Sequence, residues 1–234
     1  MVYVRKSRRT YKKRNTKKSS TLNTRIARIA KTVALRQQET KHSILSFGVR
    51  QLYHNQTYNI TSNLIDVVQG VNDTGHRIGD EITLRGIKVY LQMESVWDRP
   101  NTNFLVMIGK CRHSIAGGLV MPLKPITGVN IMDPVDTEQV MKVMAKRVYR
   151  FGDKNTFIDT TGGAPTANNA RTTHFRTLWL PLNNVKYKFL NQNTNQGTAY
   201  NIAMWVGAYD ASTELSTDNI GSIRVSGQLF FKDG

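Results

Sequence analysis

The densest cluster of chemically distinctive side chains in this sequence lies near its N-terminus. Nine lysine and arginine residues fall between positions 5 and 18, and no aspartate or glutamate precedes Glu39. A block of like charge repels itself and stays extended until a polyanion neutralises it. Phosphate backbones suit this role, because each bound cation releases condensed counterions. The residues that we expect to bind nucleic acid are Arg5, Lys6, Arg8, Arg9, Lys12, Lys13, Arg14, Lys17 and Lys18, together with Arg25 and Arg28.

These cations are expected to contact phosphates and not to recognise bases. Residues 1–20 show no helix with base-reading spacing, and Tyr3 and Tyr11 are their only aromatic residues suited to base stacking. Most other aromatic residues fall in predicted strands, where packing in a core explains them. Binding should therefore be largely indifferent to base sequence.

The chain lacks the motifs of common catalytic sites. It contains no Gly-x-x-x-x-Gly-Lys-Ser/Thr loop for nucleotide phosphates, no Gly-x-Gly-x-x-Gly turn and no Gly-x-Ser-x-Gly nucleophile elbow. We therefore predict that the protein is not an enzyme and uses no cofactor. A nuclease or another enzyme is the least favoured alternative.

Residue spacing also gives little support for a metal site. The five histidines form no His-x-His or His-Glu-x-x-His pair, and Cys111-x-His113 lacks a second pair to complete a tetrahedron. Asp133 and Asp136 lie in a proline-containing turn, where aspartate caps the backbone. We predict no metal, with a calcium site at a contact between subunits as the alternative. Cys111 is the only cysteine, so no intramolecular disulfide can form, and a reducing compartment fits.

The excess positive charge is concentrated at one end of the chain. Of 33 lysine and arginine residues, 13 lie in residues 1–36, which leaves 20 against all 16 acidic residues and a net charge of +4 for residues 37–234. The length of 234 residues suits one large β domain. We predict a basic N-terminal arm over residues 1–40 and a single folded domain over residues 41–234.

Two segments are predicted within the arm. Residues 1–20 lack core positions and are expected to be disordered. Residues 21–38 are expected to form a short amphipathic helix, which either docks against its own body, the favoured interpretation, or lies on a membrane or partner surface. The apolar residues on one face of this helix are Leu22, Ile26, Ile29 and Val33.

Targeting and membrane segments are not indicated. The basic run is not followed by the apolar region of a secretory signal, although a mitochondrial presequence is an alternative explanation for a basic segment without acids. No apolar stretch reaches the ~18 residues of a membrane span.

From about residue 43, apolar residues alternate with polar ones, which is typical of strands with one buried face. The pattern predicts an all-β fold, an eight-stranded antiparallel jelly-roll sandwich preceded by a disordered basic arm and a short amphipathic helix. The alternating runs are 43–52, 81–96, 103–113, 141–150, 175–182, 185–190, 200–209 and 222–232.

One predicted strand contains a change of phase. Ile82 and Leu84 occupy even positions, whereas the apolar residues from Ile87 to Met93 occupy odd positions. One extra residue must be absorbed between the two halves if both are to face the same core. We predict a β-bulge at Arg85 or Gly86, with a positive φ at Gly86 as a possible source of backbone strain.

Four stretches resemble the jelly-roll capsid proteins of circovirus-like viruses, which have small circular single-stranded DNA genomes that encode a replication initiator. They are Arg5 to Lys18, His76 to Ile87, the ending Gly227 to Asp233 and, less closely, Val140 to Arg150. The resemblance implies a shell domain that self-assembles into a small icosahedral particle of sixty copies, with the arms directed inward to a single-stranded DNA genome. It further implies a virion location, a nuclear localisation signal read by host import receptors, assembly in the host nucleus, and an unknown cell-surface receptor.

A cellular nucleic-acid-binding protein with a basic tail, of ribosomal or chromatin type, is the principal alternative. Such a protein is expected to carry basic patches on its body as well as on its tail. The body here is close to neutral by composition, which favours the capsid hypothesis.

Overall fold

The computed structural model divides the chain into a unit of residues 1–39 and a unit of residues 40–234. Residues 1–21 lie outside the part of the chain that the structure describes. The disorder predicted for residues 1–20 therefore stays a prediction. The described residues are 22–37, 39–70, 75–96, 99, 102–112, 123, 133–138, 140–150, 173–191, 196–210 and 216–233.

The described residues of the first unit form the helix α1, which runs from Leu22 to Gln37. This confirms the helix predicted over residues 21–38. Ile26, Ile29 and Val33 lie on one face of α1 and are exposed, so the amphipathic pattern is present along the helix. Whether this face docks on the body stays a prediction. No helix in the described part of the chain is long and apolar enough to cross a membrane.

The described residues of the second unit form eight strands in two antiparallel four-stranded sheets. The first sheet has the order β1-β8-β3-β6 and the second the order β2-β7-β4-β5. The strands pair in nested fashion, first with last, second with seventh, third with sixth and fourth with fifth, as in a long antiparallel ribbon rolled into a jelly roll. The predicted fold class is therefore confirmed. The strands are β1 (Lys41–Tyr53), β2 (Gln56–Thr61), β3 (Glu81–Ser95), β4 (Asn103–Arg112), β5 (Val140–Arg150), β6 (Thr173–Lys188), β7 (Tyr200–Tyr209) and β8 (Asn219–Asp233).

The main core lies between the two sheets and is built from the inward-facing alternate residues of the strands. Strands β4 and β7 are buried on both faces. Their outward-facing side chains, such as Met107 and Trp205, form a second apolar cluster beneath Leu123 and Val135. The second sheet is thus covered on its outer face near these strands, because the connection between β4 and β5 contributes apolar side chains there.

The strand count agrees with the sequence pattern, but two assignments were wrong. The runs 175–182 and 185–190 were predicted as separate strands and form the single strand β6. Asn183 and Asn184 have φ angles of 52° and 58°. Asparagine tolerates this left-handed conformation, so β6 continues through both residues with a local irregularity. Strand β2 was missed because it is only six residues long, each of them half-buried, and its alternation is limited to two apolar residues, Tyr58 and Ile60, which pack against the core.

The predicted bulge in β3 is confirmed. The register shifts between Leu84 and Gly86 in the pairings of β3 with both of its neighbours. Ile82 and Leu84 before the shift, and Ile87 and Val89 after it, are all buried. The bulge therefore lets both halves of β3 face the same core.

The suggested positive φ at Gly86 was wrong, since Gly48 is the only described glycine with this conformation. Glycine is required at position 86 because there is no room for a side chain. A Cβ there would lie 2.5 Å from Cζ2 of Trp179 and 2.9 Å from the carbonyl oxygen of Leu180. The indole ring of Trp179 thus occupies the volume that a side chain at position 86 would fill.

We expect Gly86→Val to lower the free energy of unfolding by about 1–3 kcal/mol, because the added atoms clash with Trp179 and Leu180. Gly79→Val is the matched control, since a Cβ at Gly79 meets no atom within 4 Å. Chemical denaturation of both variants measures the difference. Equal losses of stability for the two substitutions would contradict the steric explanation.

Candidate nucleic-acid interface

Two of the eleven predicted nucleic-acid-binding residues lie within the described part of the chain. Arg25 and Arg28 are exposed on α1, one turn apart. The other nine, from Arg5 to Lys18, lie outside the described residues, so their role stays a prediction. Helix α1 has no acidic residue in its first turn, and the two arginines continue the basic character of the sequence into this helix.

The sulfur of the only cysteine is part of an apolar cluster. Cys111 packs beside Met107 and Trp205 on the outer side of β4, and burial raises the pKa of its thiol to about 11. The thiol is therefore protonated near neutral pH and is a poor metal ligand. His113 lies outside the described residues, and the part of the chain that is described contains no group of three potential metal-binding side chains.

The aspartates of the proline-containing turn cap the backbone. The Asp136 carboxylate accepts a hydrogen bond from the backbone N–H of Glu138 at 3.0 Å, and its carbonyl oxygen accepts one from the N–H of Val140 at 2.9 Å. Lys146 donates to the carbonyl oxygen of Asp133 at 3.4 Å. These contacts order the approach to β5, as expected for aspartate in a turn.

Arg77 is completely buried and is held by the structure. Its guanidinium donates hydrogen bonds to the carbonyl oxygens of Gly79 and Asn191 at 2.6 and 3.1 Å and to the Asp80 carboxylate at 3.2 Å. It also stacks over Phe189, with 3.9 Å between Cζ and the ring centroid. These contacts satisfy the hydrogen-bond donors of the guanidinium and connect the loop before β3 to the end of β6. The charge of Arg77 is therefore not available to a ligand.

Strand β5 is a basic edge that the sequence analysis did not identify. It forms one edge of the second sheet and carries Lys142, Lys146, Arg147 and Arg150 without an acidic residue. Within the described part of the chain, Lys142, Arg147 and Arg150 have no carboxylate at ion-pair distance. Charges on an edge strand also discourage edge-to-edge aggregation, so this feature alone does not define a binding site.

The sequence analysis treated the body as nearly neutral because it considered only the net charge of residues 37–234. In the structure, several acidic residues are neutralised locally: Asp233 pairs with Lys41 at 2.6 Å, Asp80 with Arg77, and Glu81 with Lys186. These pairs lie away from β5. Positive charge is consequently left along one edge of the body.

Two further features increase the charge density at this edge. Lys110 on β4 lies directly opposite Lys142, and desolvation, followed by the charge of Lys142, lowers the pKa of Lys110. Burial raises the pKa of the Tyr149 hydroxyl, while the charges of Arg147 and Arg176 oppose that effect. Lys110 therefore lies near Lys142, and Arg147 and Arg176 both lie near Tyr149.

Comparisons with known proteins leave the family open. The sequence matches no protein-family model and no curated protein. Among solved structures, the chain is similar to a Desmodium yellow mottle tymovirus structure (10% identity, TM-score 0.37, 83% of this chain and 86% of the other). It is also similar to a structure of the empty head of Turnip yellow mosaic virus (9% identity, TM-score 0.37, 84% and 82%) and to an infectious bursal disease virus particle structure (11% identity, TM-score 0.34, 84% and 32%). TM-scores this low do not establish a shared function.

We expect Lys142→Gln to stabilise the protein by about 0.5 kcal/mol at low ionic strength, because it removes a like charge directly opposite Lys110. The gain should shrink as added salt screens the repulsion. Arg147→Gln is the control, since the exposed Arg147 is opposite Val106. Thermal unfolding at two salt concentrations tests this, and a gain for Lys142→Gln that is independent of salt would contradict it.

Proposed function

We propose that this protein is a structural, non-enzymatic capsid subunit that assembles into a shell and packages nucleic acid with its N-terminal arm. One observation carries the proposal: a jelly-roll body is joined to a segment with 13 basic residues and no acid before Glu39. The two parts supply different properties, since the body supplies surfaces for contacts between copies and the arm supplies charge for condensing a polyanion.

The jelly-roll fold alone does not select this function. Jelly rolls also occur in lectins and cupins, and a fold hosts many functions that depend on particular sites. The basic arm distinguishes the capsid hypothesis, because a sugar-binding or small-molecule domain has no need of such a segment. Enclosing a genome requires neutralisation of its phosphates.

The finer features of the proposal come from the resemblance to circovirus-like capsid proteins. We propose a homo-oligomeric icosahedral shell of sixty copies, a genome of single-stranded DNA contacted by Arg5 to Lys18 together with Arg25 and Arg28, and a virion location. Nuclear import through the arm before assembly, and a cell-surface receptor on the host, belong to the same proposal.

The basic edge of β5 favours one second candidate, a cellular nucleic-acid-binding protein. That hypothesis predicted basic patches on the body, and β5 carries Lys142, Arg147 and Arg150 along one edge of a sheet. Self-assembly distinguishes the candidates. A tail-bearing ribosomal or chromatin protein binds along nucleic acid without forming closed shells, whereas a capsid subunit encloses it.

Deleting residues 1–20 should leave the body folded but abolish retention of nucleic acid during purification, because this segment holds nine cations and no predicted core residue. The ratio of absorbance at 260 nm to that at 280 nm should fall, while circular dichroism and the melting temperature stay close to wild type. The matched control replaces the nine cations with glutamine and should behave like the deletion. A deletion that retains as much nucleic acid as wild type would contradict the role of the arm.

A further inference from the structure

Two large aromatic side chains are exposed on the outer face of the first sheet. Phe175 is 67% exposed and Trp179 is 53% exposed. They lie at alternate, outward-facing positions of β6, while Leu180 and Leu182 face the core. Aromatic residues in strands were expected to pack in the core, so these two rings need a different explanation.

Trp179 is held in place by its neighbours without being covered. Its ring lies over Gly86, where no side chain competes for the space, and it contacts the ring of Phe230 edge-on with 5.6 Å between centroids. Lys88 is directly opposite Trp179 on β3. The result is an oriented and half-exposed indole ring with a cation on the adjacent strand.

Phe175 has a similar setting at the other end of the same face. It lies opposite Gln92 on β3, and Gln92 lies opposite Arg224 on β8. Four residues separate Phe175 from Trp179 along β6, which places the two rings about 13 Å apart. A depression of about 290 Å³ extends beside Phe175 and is lined by residues that include Ser46, Tyr90, Gln92, Arg224 and Ser226.

Two cations, Lys88 and Arg224, share this face with the carboxylate of Glu94. Neither Lys88 nor Arg224 has a carboxylate at ion-pair distance among the described residues, and Lys88 lies over the ring of Tyr90 at 5.0 Å. The Glu94 carboxylate accepts hydrogen bonds from Gln92 at 2.7 Å and from Ser222 at 3.3 Å. The face thus combines exposed rings, unpaired cations and hydrogen-bonding side chains.

We propose that this face binds single-stranded nucleic acid, with bases stacking on Phe175 and Trp179 and phosphates contacting Lys88 and Arg224. This inference rests on the proposed function, because it assigns the packaged polymer a second contact on the body. Aromatic rings among cations form the platform that single-strand binders use, and stacking tolerates any base sequence. A duplex buries its base faces within the stack and is therefore a poor ligand for such a surface.

The same observations disfavour a second copy of the chain as the occupant. The central part of a protein–protein interface is depleted of charged residues, whereas Lys88 lies beside Trp179 and Arg224 lies on the far side of Gln92 from Phe175. The row that separates the rings is partly polar, with Thr177 opposite Tyr90 and Tyr90 opposite Ser226. The apolar area is thus divided, while the cations and rings match a strand of nucleotides.

The test compares a thymidine oligonucleotide with an abasic oligonucleotide of equal length, using the full-length protein. Wild type should bind the thymidine strand more tightly, and Phe175→Ala/Trp179→Ala should lose on the order of tenfold in that affinity. Binding of the abasic strand, which offers only phosphates, should be unchanged. Val148→Ala, an exposed apolar position on β5, is the control and should have no effect on either ligand.

Two additional measurements keep the test decisive. Phe175→Ala alone removes the more exposed ring, so it provides a folded variant if the double variant unfolds, and it should lose several-fold in affinity. In a Trp97→Phe background, the thymidine strand should quench the fluorescence of Trp179. Trp179→Phe should then remove most of that quenching, because the remaining tryptophan, Trp205, is only 1% exposed.

The possible failures are distinguishable. A wild-type protein that binds the abasic strand with steep salt dependence but gains nothing from bases would overturn the stacking inference and leave the proposed role of the arm intact. Failure to bind either strand would count against the proposed function itself. A double variant that binds normally but loses self-association would overturn the inference by showing that the face joins copies of the chain.

Discussion

The structure depends on one packing constraint, namely that alternate residues of eight strands must face a single apolar layer between two sheets. Strand β3 meets this constraint only because its phase shifts at Arg85 and Gly86. The shift keeps both halves of β3 directed at the core and brings its backbone close to Trp179. The same constraint determines the outer face of the sheet, since the residues that alternate with the core positions are left to solvent or to a partner.

A second constraint is electrostatic and separates the chain into two parts with different properties. Thirteen cations without a nearby acid cannot be buried together, because desolvating unpaired charges costs several kcal/mol each. They are therefore placed before the first strand, outside the part of the chain that builds the core. In the body, acids such as Asp233 and Glu81 pair with local cations, which leaves the β5 edge and the outer face of the first sheet with unpaired positive charge.

Periodicity was sufficient to predict helix α1, most of the strands, the jelly-roll class and the position of the bulge. It failed where the local pattern departs from alternation. Strand β2 has only two alternating apolar residues, Tyr58 and Ile60, which is too short a pattern to identify a strand. Asn183-Asn184 resembles a turn although β6 continues through it. The sequence also did not show that Trp179 faces outward, because the hydrophobicity of a residue does not indicate whether its side of the strand faces the core or solvent. The basic edge of β5 could not be predicted from the net charge of the body, because acidic residues pair with cations from distant segments and leave the cations of β5 unpaired.

The central claim is that the body closes into a shell around nucleic acid bound by the arm. Cryo-electron microscopy of the purified full-length protein, after nuclease digestion of unprotected nucleic acid, tests this claim most directly. We expect closed icosahedral particles of uniform diameter with nucleic-acid density inside the protein layer. Monomers or small oligomers without closed shells, and with no nuclease-protected nucleic acid, would contradict it.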